Sequence, residues 1–214
     1  MGERCSIVTC AAFSAIDGTI VPAGADTIFA EGQRRLYADT DPDNAASRAL
    51  LEGRVGLDAG ALPLRPVQGQ LTLAALEGGA CIPVEGLSAG LREIERAGAE
   101  LVIVEGAGGW FLPLDHQHLL SDWVALERLP VILVVGAKLG CLNHALLTCA
   151  AIRHQGLTLA GWVVNRVDPH MSRYPENLAT LKALLPAPFL GEIPFVDQPL
   201  EADLRGCLDI SPLG

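Results

Sequence analysis

The sequence predicts an α/β protein whose core is a doubly wound, mainly parallel sheet flanked by helices. Strands of parallel sheets are covered on both faces and therefore form unbroken apolar runs. The chain has three such runs, at 101–104, 131–136 and 159–164, and helix-like segments separate them. This alternation is typical of a doubly wound fold. A length of 214 residues suits one domain, covering 1–214.

The amino-terminal part of the chain gives weaker signals. The segment 5–10 predicts a short first strand, and 42–52 predicts a helix with Asp41 as its cap. Asp39, Asp41 and Asp43 offer oxygen ligands for a metal ion. A solvated acidic cluster at the helix start is the favoured interpretation, because negative charge stabilises a helix amino terminus.

The remaining elements follow in regular order. Helices are predicted at 70–77, 85–97, 121–126, 142–154 and 175–185, and a last strand at 189–193. In the helix at 85–97, Leu87, Leu91 and Ile94 fall on one apolar face. Ser121 is predicted to cap the helix that begins there, and Gly156 to close the helix at 142–154.

Composition argues against several classes of protein. A net charge of −10 repels nucleic acid and anionic lipid, and no apolar run reaches the roughly 18 residues of a membrane span. The first residues do not resemble a signal sequence. Without a membrane span or a signal sequence, we expect a cytoplasmic location. The six cysteines form no C-x-x-C pair, and we expect reduced, mostly buried thiols.

Glu105 is the first candidate for a ligand-binding residue. It ends the apolar run 101–104 and is followed by a glycine-rich stretch, 106–109. Open α/β sheets bind ligands at the carboxyl ends of their strands, and glycines let a phosphate approach the backbone closely. An ordinary turn with a solvated glutamate is the alternative.

The turn before the helix at 142–154 is the second candidate. It presents backbone N–H groups at a helix amino terminus, which favours a carboxylate or a phosphate. The alternative is that Asn143 merely caps that helix. His116 and His118 are interpreted as surface residues, because no third metal ligand lies near them in the sequence.

A phosphate-binding loop of the form G-x-x-x-x-G-K-[ST] is expected after the first strand of a nucleotide-binding α/β protein. Here the segment 10–19 retains only Gly18-Thr19 of that pattern. Lys138 and Lys182 are the only lysines in the sequence.

Five ordered blocks of the sequence resemble the dethiobiotin synthetase family. They are Val104-Glu105-Gly106-Ala107-Gly108-Gly109-Trp110, then 129–136, 139–148, 159–165 and Leu190-Gly191-Glu192-Ile193-Pro194. The resemblance runs from about residue 86 to the end of the chain. It implies a P-loop NTPase-like homodimer that uses ATP and Mg²⁺ to carboxylate 7,8-diaminononanoate with CO2 and close the ureido ring of dethiobiotin, a biotin precursor.

The resemblance also implies roles for individual residues. Glu105 matches the family's magnesium ligand, and Asn165 matches the residue that reads adenine. The stretch beside the phosphates and the carbamate comprises Gly106, Ala107, Gly108 and Gly109. The base pocket is lined by Ile193, Pro194 and Phe195. The helix start that binds the substrate carboxylate across the dimer interface comprises Gly140, Cys141, Leu142 and Asn143.

The chain departs from the family pattern near its amino terminus. Thr9 is kept, but Cys10-Ala11-Ala12-Phe13 replaces the start of the phosphate loop, and Asp17 stands where its lysine is expected. The family's second lysine segment, K-P-[IV], has only Arg65-Pro66-Val67 as a late counterpart. Losing one preorganised charge at a phosphoryl transition state costs on the order of 3 kcal/mol.

Two functions therefore stay open. In the first, the chain is an ATP-dependent enzyme in which Arg34, Arg35 or Arg65 neutralises phosphate. In the second, it is a catalytically silent paralogue that acts as a binding or regulatory dimer partner.

Overall fold

Within the part of the chain that the structure describes, six strands form one sheet in the order β2-β3-β1-β4-β5-β6, and every pair of neighbours is parallel. The strands are β1 Cys5–Ala11, β2 Leu36–Ala38, β3 Leu101–Gly106, β4 Val131–Gly136, β5 Leu159–Asn165 and β6 Phe189–Ile193. The helices are α1 Val84–Arg96, α2 Leu120–Glu127, α3 Cys141–His154 and α4 Tyr174–Leu184, with a 3₁₀ turn at Ser211–Leu213.

This computed structural model describes residues 5–11, 36–38, 84–96, 101–106, 109–196, 204 and 206–213. Several predictions from the sequence lie outside these residues. They are the helices at 42–52 and 70–77, the acidic cluster of Asp39, Asp41 and Asp43, the segment 12–19, the arginines Arg34, Arg35 and Arg65, and the glycine-stretch residues Ala107 and Gly108.

The central strand is β1, which lies between β3 and β4. Thr9 is opposite Glu105 on one side, and Val8 is opposite Val131 on the other. The chain adds β2 and β3 on one side of β1 and then β4 to β6 on the other. The order of strands thus reverses at β1, and such a switch point opens a crevice at the carboxyl ends of the strands. The predicted doubly wound, parallel sheet is confirmed.

The apolar runs became buried strands because both of their faces are covered. Every residue of β4 is buried, and Val131 and Leu133 are 0% exposed. Helices α3 and α4 contribute Ile152 and Leu181 to the same core, next to Trp162 of β5. The free thiols of Cys141 and Cys149 are buried there too, as expected, and burial raises the pKa of the Cys149 thiol.

Helices α1 and α2 are joined by a polar network at the edge of the core. The Glu127 carboxylate accepts hydrogen bonds from Ser88 Oγ at 2.5 Å and from Arg92. The buried indole of Trp123 donates from Nε1 to Ser88 Oγ at 3.1 Å. This network fixes α2 against α1.

The prediction that Ser121 caps a helix is wrong. Helix α2 begins at Leu120, so Ser121 lies inside its first turn, fully buried. The start of α2 is held instead by the Asp122 carboxylate, which accepts the Leu119 N–H at 2.8 Å. At the end of α3 the prediction is confirmed: Gly156 adopts a φ of +74°, and the Leu157 N–H bonds the Ile152 carbonyl at 3.2 Å.

Candidate functional site

The carboxyl ends of neighbouring strands bring several predicted site residues to one edge of the sheet. The register places Cys10 opposite Gly106 and Gly136 opposite Asn165. It also places Asn165 opposite Ile193. Because all of these strands are parallel, residues far apart in the chain share one edge. This edge is the ligand side of an open α/β sheet.

Glu105 and Gly106 are the last two residues of β3. Beyond them, Gly109 adopts a φ of +96°, which lies in the left-handed region that favours glycine. The chain thus turns sharply within a few residues of Glu105. The roles of Glu105 and the glycine stretch in holding magnesium and phosphate stay predictions.

Trp110, directly after this turn, is a residue whose role sequence reasoning missed. Its indole is buried, and Nε1 donates to Gln155 Oε1 at 2.7 Å. Gln155 Nε2 in turn donates to Ser121 Oγ at 3.3 Å. These contacts join the turn after β3 to α2 and to the end of α3. The partners are 34 and 45 residues apart, so no local pattern pointed to them.

The start of α3 differs from the prediction in one respect. Gly140 is the residue before the helix, with a φ of +92°, and Asn143 is the third helical residue. The interpretation of Asn143 as a helix cap is therefore wrong. Cys141 donates its N–H to the Lys138 carbonyl at 3.0 Å. The N–H groups of Leu142 and Asn143 have no acceptor within the helix, because its first turn leaves them unpaired.

Lys138 adds a positive charge at this same turn. Desolvation lowers the pKa of its ammonium group from the usual lysine value. A helix amino terminus favours an anionic ligand. The arrangement is therefore chemically suited to a carboxylate or a phosphate, the two anions expected from the sequence.

Asn165 is fixed through its backbone. Its carbonyl accepts hydrogen bonds from Ala137 N–H at 2.7 Å and from Val167 N–H at 3.0 Å. The next residue, Arg166, donates its N–H to the Ile193 carbonyl at 3.0 Å. The Asn165 side chain is half-buried at the edge of the sheet. It is thus held at a defined place where a base could meet its amide.

The three residues predicted to line the base pocket differ in exposure. Ile193 is 0% exposed and belongs to the core, whereas Pro194 and Phe195 are exposed. Any contact with a base on this side therefore falls to Pro194 and Phe195.

Behind this edge, a second polar group forms between β5, β6 and α4. The Arg166 guanidinium lies 4.7 Å from the centre of the Tyr174 ring, and its Nε is 3.9 Å from Glu192 Oε1. The Tyr174 hydroxyl is buried without a hydrogen-bond partner among the described residues. Desolvation, and then the neighbouring Glu192 carboxylate, raise the pKa of this hydroxyl. We expect Tyr174 to stay protonated.

The two histidines of the loop before α2 occupy exposed positions. His118 Nδ1 lies 2.9 Å from Asp115 Oδ2, and His116 is exposed. The described residues contain no group of three or more side chains that could hold a metal ion. No helix in the described part of the chain has the length and apolarity to cross a bilayer.

The sheet order and its ligand edge define the class: this is an α/β protein with a P-loop NTPase-like fold. The chain belongs to the AAA domain family, whose model matches residues 70–201. That match confirms the fold class.

Individual relatives are more specific. The chain is 72% identical over 141 residues to the ATP-dependent dethiobiotin synthetase BioD of Aeromonas hydrophila, covering 66% of this chain and 62% of the relative. It is 58% identical over 118 residues to BioD 1 of Escherichia coli, covering 54% of this chain and 52% of the relative. The resemblance to dethiobiotin synthetase is confirmed. The chain spans about three-fifths of the length of the first of these relatives.

Among solved structures, a ParA family ATPase from Chlorobium tepidum is similar, with a TM-score of 0.47 and 19% identity. That likeness covers 98% of this chain and 82% of the other. The fold class rests on the sheet order and the family match rather than on this likeness.

Proposed function

We propose that this chain is a dethiobiotin synthetase-like enzyme that uses ATP and Mg²⁺ to carboxylate 7,8-diaminononanoate and close its ureido ring. One observation carries the proposal: the parallel register brings Glu105, Asn165 and the start of α3 to the carboxyl edge of one sheet. The dethiobiotin synthetases of other bacteria, at up to 72% identity, support the same activity. We further propose a cytoplasmic homodimer that acts without nucleic acid or membrane.

The nucleotide half of the proposed site comes from β3, β5 and β6. A carboxylate such as Glu105 is a ligand of the type that Mg²⁺ prefers, and the ion neutralises charge on the phosphates when it is bound. Gly106 and Gly109 leave room for phosphate oxygens next to the backbone. The Asn165 amide offers a donor and an acceptor, which matches the paired donor and acceptor of an adenine edge.

The substrate half comes from the start of α3. There the N–H groups of Leu142 and Asn143 face a carboxylate, while the ammonium of Lys138 contributes charge. In the reaction, an amine of the substrate takes up CO2 as a carbamate, ATP phosphorylates that carbamate, and the second amine displaces phosphate to close the ring. Holding the carboxylate tail orients both amines toward the nucleotide half.

The proposed homodimer places this helix start against a second copy of the chain. Leu139 is 95% exposed and Leu147 is 61% exposed, on the turn before α3 and on α3 itself. Exposed leucines of this size next to a ligand site support a contact that buries them. We therefore expect the substrate carboxylate to lie near the interface between two copies.

A second function is favoured by one sequence observation. No lysine precedes Lys138, and Asp17 stands where the phosphate-loop lysine is expected. A carboxylate at this position repels phosphate. The planar guanidinium group of an arginine does not replace the compact ammonium group of a lysine between two phosphates. In this alternative, the chain is a catalytically silent paralogue that binds the diamine or a partner subunit.

The deciding experiment is dethiobiotin formation by the purified protein with diaminononanoate, bicarbonate, Mg²⁺ and ATP, beside a reaction without nucleotide. The enzyme proposal expects ATP-dependent product that is lost in Glu105→Gln but kept in Glu176→Gln, whose carboxylate lies on the exposed face of α4. No product from a folded protein that still binds the diamine in calorimetry would contradict the enzyme proposal and support the silent paralogue.

A further inference from the structure

The sequence contains only two lysines, and the structure places them at opposite edges of the sheet. Lys182 lies in the last turn of α4, and its Nζ is 4.3 Å from the ring centre of Phe189, the first residue of β6. It therefore belongs to the amino edge. Lys138 lies two residues after Gly136, which ends β4 at the carboxyl edge. Lys138 is thus the lysine that this sequence brings to the edge where ligands are proposed to bind.

The strand that leads to Lys138 is a neighbour of β1. In the register, Ala11, the last residue of β1, is opposite Val134, so β4 continues for two residues beyond the end of β1. Neighbouring strands lie about 4.8 Å apart. The turn that carries Lys138 therefore begins one strand away from the end of β1, where nucleotide-binding α/β proteins hold phosphates.

Hydrogen bonds on both sides hold the backbone of Lys138 in place. Ala137 donates its N–H to the Asn165 carbonyl at 2.7 Å, and the Lys138 carbonyl accepts the Cys141 N–H at 3.0 Å. The Lys138 residue is half-buried, and desolvation lowers the pKa of its ammonium group. Because a partly dehydrated ammonium group gains more from a negative charge than a fully hydrated one does, this environment favours an anionic partner.

An arginine at the same edge is engaged elsewhere. Arg166 follows the end of β5, but its guanidinium lies 4.7 Å from the centre of the Tyr174 ring, and its Nε is 3.9 Å from Glu192 Oε1. Its charge is thus directed towards α4 and β6 and away from β1. A lysine also suits a pair of phosphates, because its compact ammonium group on a flexible stem can lie between them as a point charge.

We propose that Lys138 supplies the ammonium group that neutralises the nucleotide phosphates, in place of the lysine that is absent from the segment after β1. The proposal rests on the proposed function, since it assumes that ATP phosphorylates a carbamate at this edge. In that step a carbamate oxygen forms a bond to the γ-phosphorus, and the bond from this phosphorus to the β–γ bridging oxygen breaks. The electron pair stays on ADP. The Lys138 ammonium pairs with β- and γ-phosphate oxygens and keeps its proton.

The test compares the two lysines in matched variants. Lys138→Gln removes the proposed charge, Lys138→Arg keeps a charge on a planar group, and Lys182→Gln removes the lysine at the other edge. Calorimetry gives the Kd of each variant for Mg·ATP, for AMP and for the diamine. We expect Lys138→Gln to weaken Mg·ATP binding roughly tenfold to a hundredfold, and Lys138→Arg to recover part of this loss. The affinity for AMP, which lacks the β- and γ-phosphates, should stay within about twofold of wild type, and the diamine affinity within about threefold. Lys182→Gln should match the wild type for all three.

A second readout does not depend on turnover. Because the sequence has two lysines, protein made with isotope-labelled lysine gives two side-chain NMR signals, which the two glutamine variants assign. Mg·ATP should shift the Lys138 signal, since a phosphate partner changes the hydrogen bonding of the ammonium group. AMP should leave that signal in place, and the Lys182 signal should not respond to either nucleotide.

Each result decides the proposal. If the wild type binds Mg·ATP and forms dethiobiotin, equal Mg·ATP affinities in Lys138→Gln and Lys182→Gln would overturn the role of Lys138 and leave the proposed function standing. A larger loss of diamine affinity than of Mg·ATP affinity would overturn that role as well, and would assign the ammonium to the substrate carboxylate. A wild-type protein that binds no Mg·ATP and forms no product would refute the proposed function, and the role of Lys138 with it.

Discussion

The backbone carbonyl of Asn165 accepts the N–H of Ala137 at 2.7 Å, which joins the end of β5 to the turn that leads into α3. Ala137 is buried, so this bond is shielded from water. The residue proposed to read the base and the helix start proposed to hold the carboxylate are therefore held at a fixed separation. The Asn165 side chain takes no part in this bond and is free to be changed without breaking it.

We expect Asn165→Ala to weaken nucleotide binding about fivefold to thirtyfold, because one or two hydrogen bonds to the base are lost. The thermal unfolding midpoint should stay close to the wild-type value, since the carbonyl bond to Ala137 remains. Calorimetric titration with Mg·ATP measures the change. Asn177→Ala is the matched control, because the Asn177 amide already donates to the Arg173 carbonyl at 2.8 Å. Equal affinities in the two variants would remove Asn165 from the base site.

Two substitutions at the start of α3 distinguish a role in substrate binding from a role in helix capping. Because Asn143 is not the cap, we expect Asn143→Ala to weaken diamine binding by about 1 to 2 kcal/mol without a matching loss of stability. Gly140→Ala should instead destabilise the fold by about 1 to 2 kcal/mol, since a φ of +92° strains any side chain there. Calorimetry and chemical denaturation measure the two effects. A stability loss in Asn143→Ala as large as that in Gly140→Ala would restore the capping role.

Alanine substitutions at two glycines should change the free energy of unfolding in opposite directions. A Cβ at Gly161 in β5 would lie 2.7 Å from Leu190 Cδ1 and 2.8 Å from its Cγ. Leu190 is 1% exposed and has no room to move, so Gly161→Ala should cost about 1 to 3 kcal/mol. Gly90 lies within α1 with nothing within 4 Å of its Cβ position, so Gly90→Ala should stabilise by about 1 kcal/mol. Urea denaturation of both variants measures these changes. An unchanged free energy of unfolding in Gly161→Ala would mean that β5 and β6 are less closely packed than the structure indicates.

The loop before α2 has a pH-dependent ion pair. The side-chain hydrogen bond between Asp115 and His118 lowers the pKa of Asp115 to about 2 and raises the pKa of His118 above 6.5. The His118 contribution to stability is full below pH 6.5 and disappears as pH rises through its raised pKa. The Asp115 contribution is full above pH 3.8 and disappears as pH falls through about 2. The pair is therefore strongest between about pH 4 and 6.5.

An NMR titration of His118 checks this pair. Asp115→Asn should lower the pKa of His118 more than Asp122→Asn does, because Asp115 supplies the largest contribution and Asp122 a smaller one. The reverse order would show that the hydrogen bond to Asp115 is absent in solution.

Much of the sheet could be predicted because its strands are apolar runs with clear boundaries. The bounds of β4 and β6 match the predictions to the residue: Pro130 precedes β4, and Pro194 follows β6. Helix starts were less predictable, since Ser121 and Asn143 are good capping residues but are the second and third residues of their helices. At α3 the positive φ of Gly140 decided the start instead.

The candidate site was predictable only where it follows from strand ends. Glu105 and Asn165 end buried strands, and parallel pairing places them at one edge. The hydrogen bond from Trp110 to Gln155 could not be predicted from the sequence, because it depends on how the end of α3 packs against Trp110. Contacts between side chains 45 residues apart are set by tertiary packing and not by local pattern.

The central position of β1 has a consequence for how the chain folds. This strand is synthesised well before its partners, which are β3 at 101–106 and β4 at 131–134. During synthesis, both of its edges can be paired only after residue 134 has been added. Such non-local pairing slows folding and leaves apolar strand edges exposed meanwhile. A nascent or truncated chain that stops before residue 131 would therefore be the form most prone to aggregate.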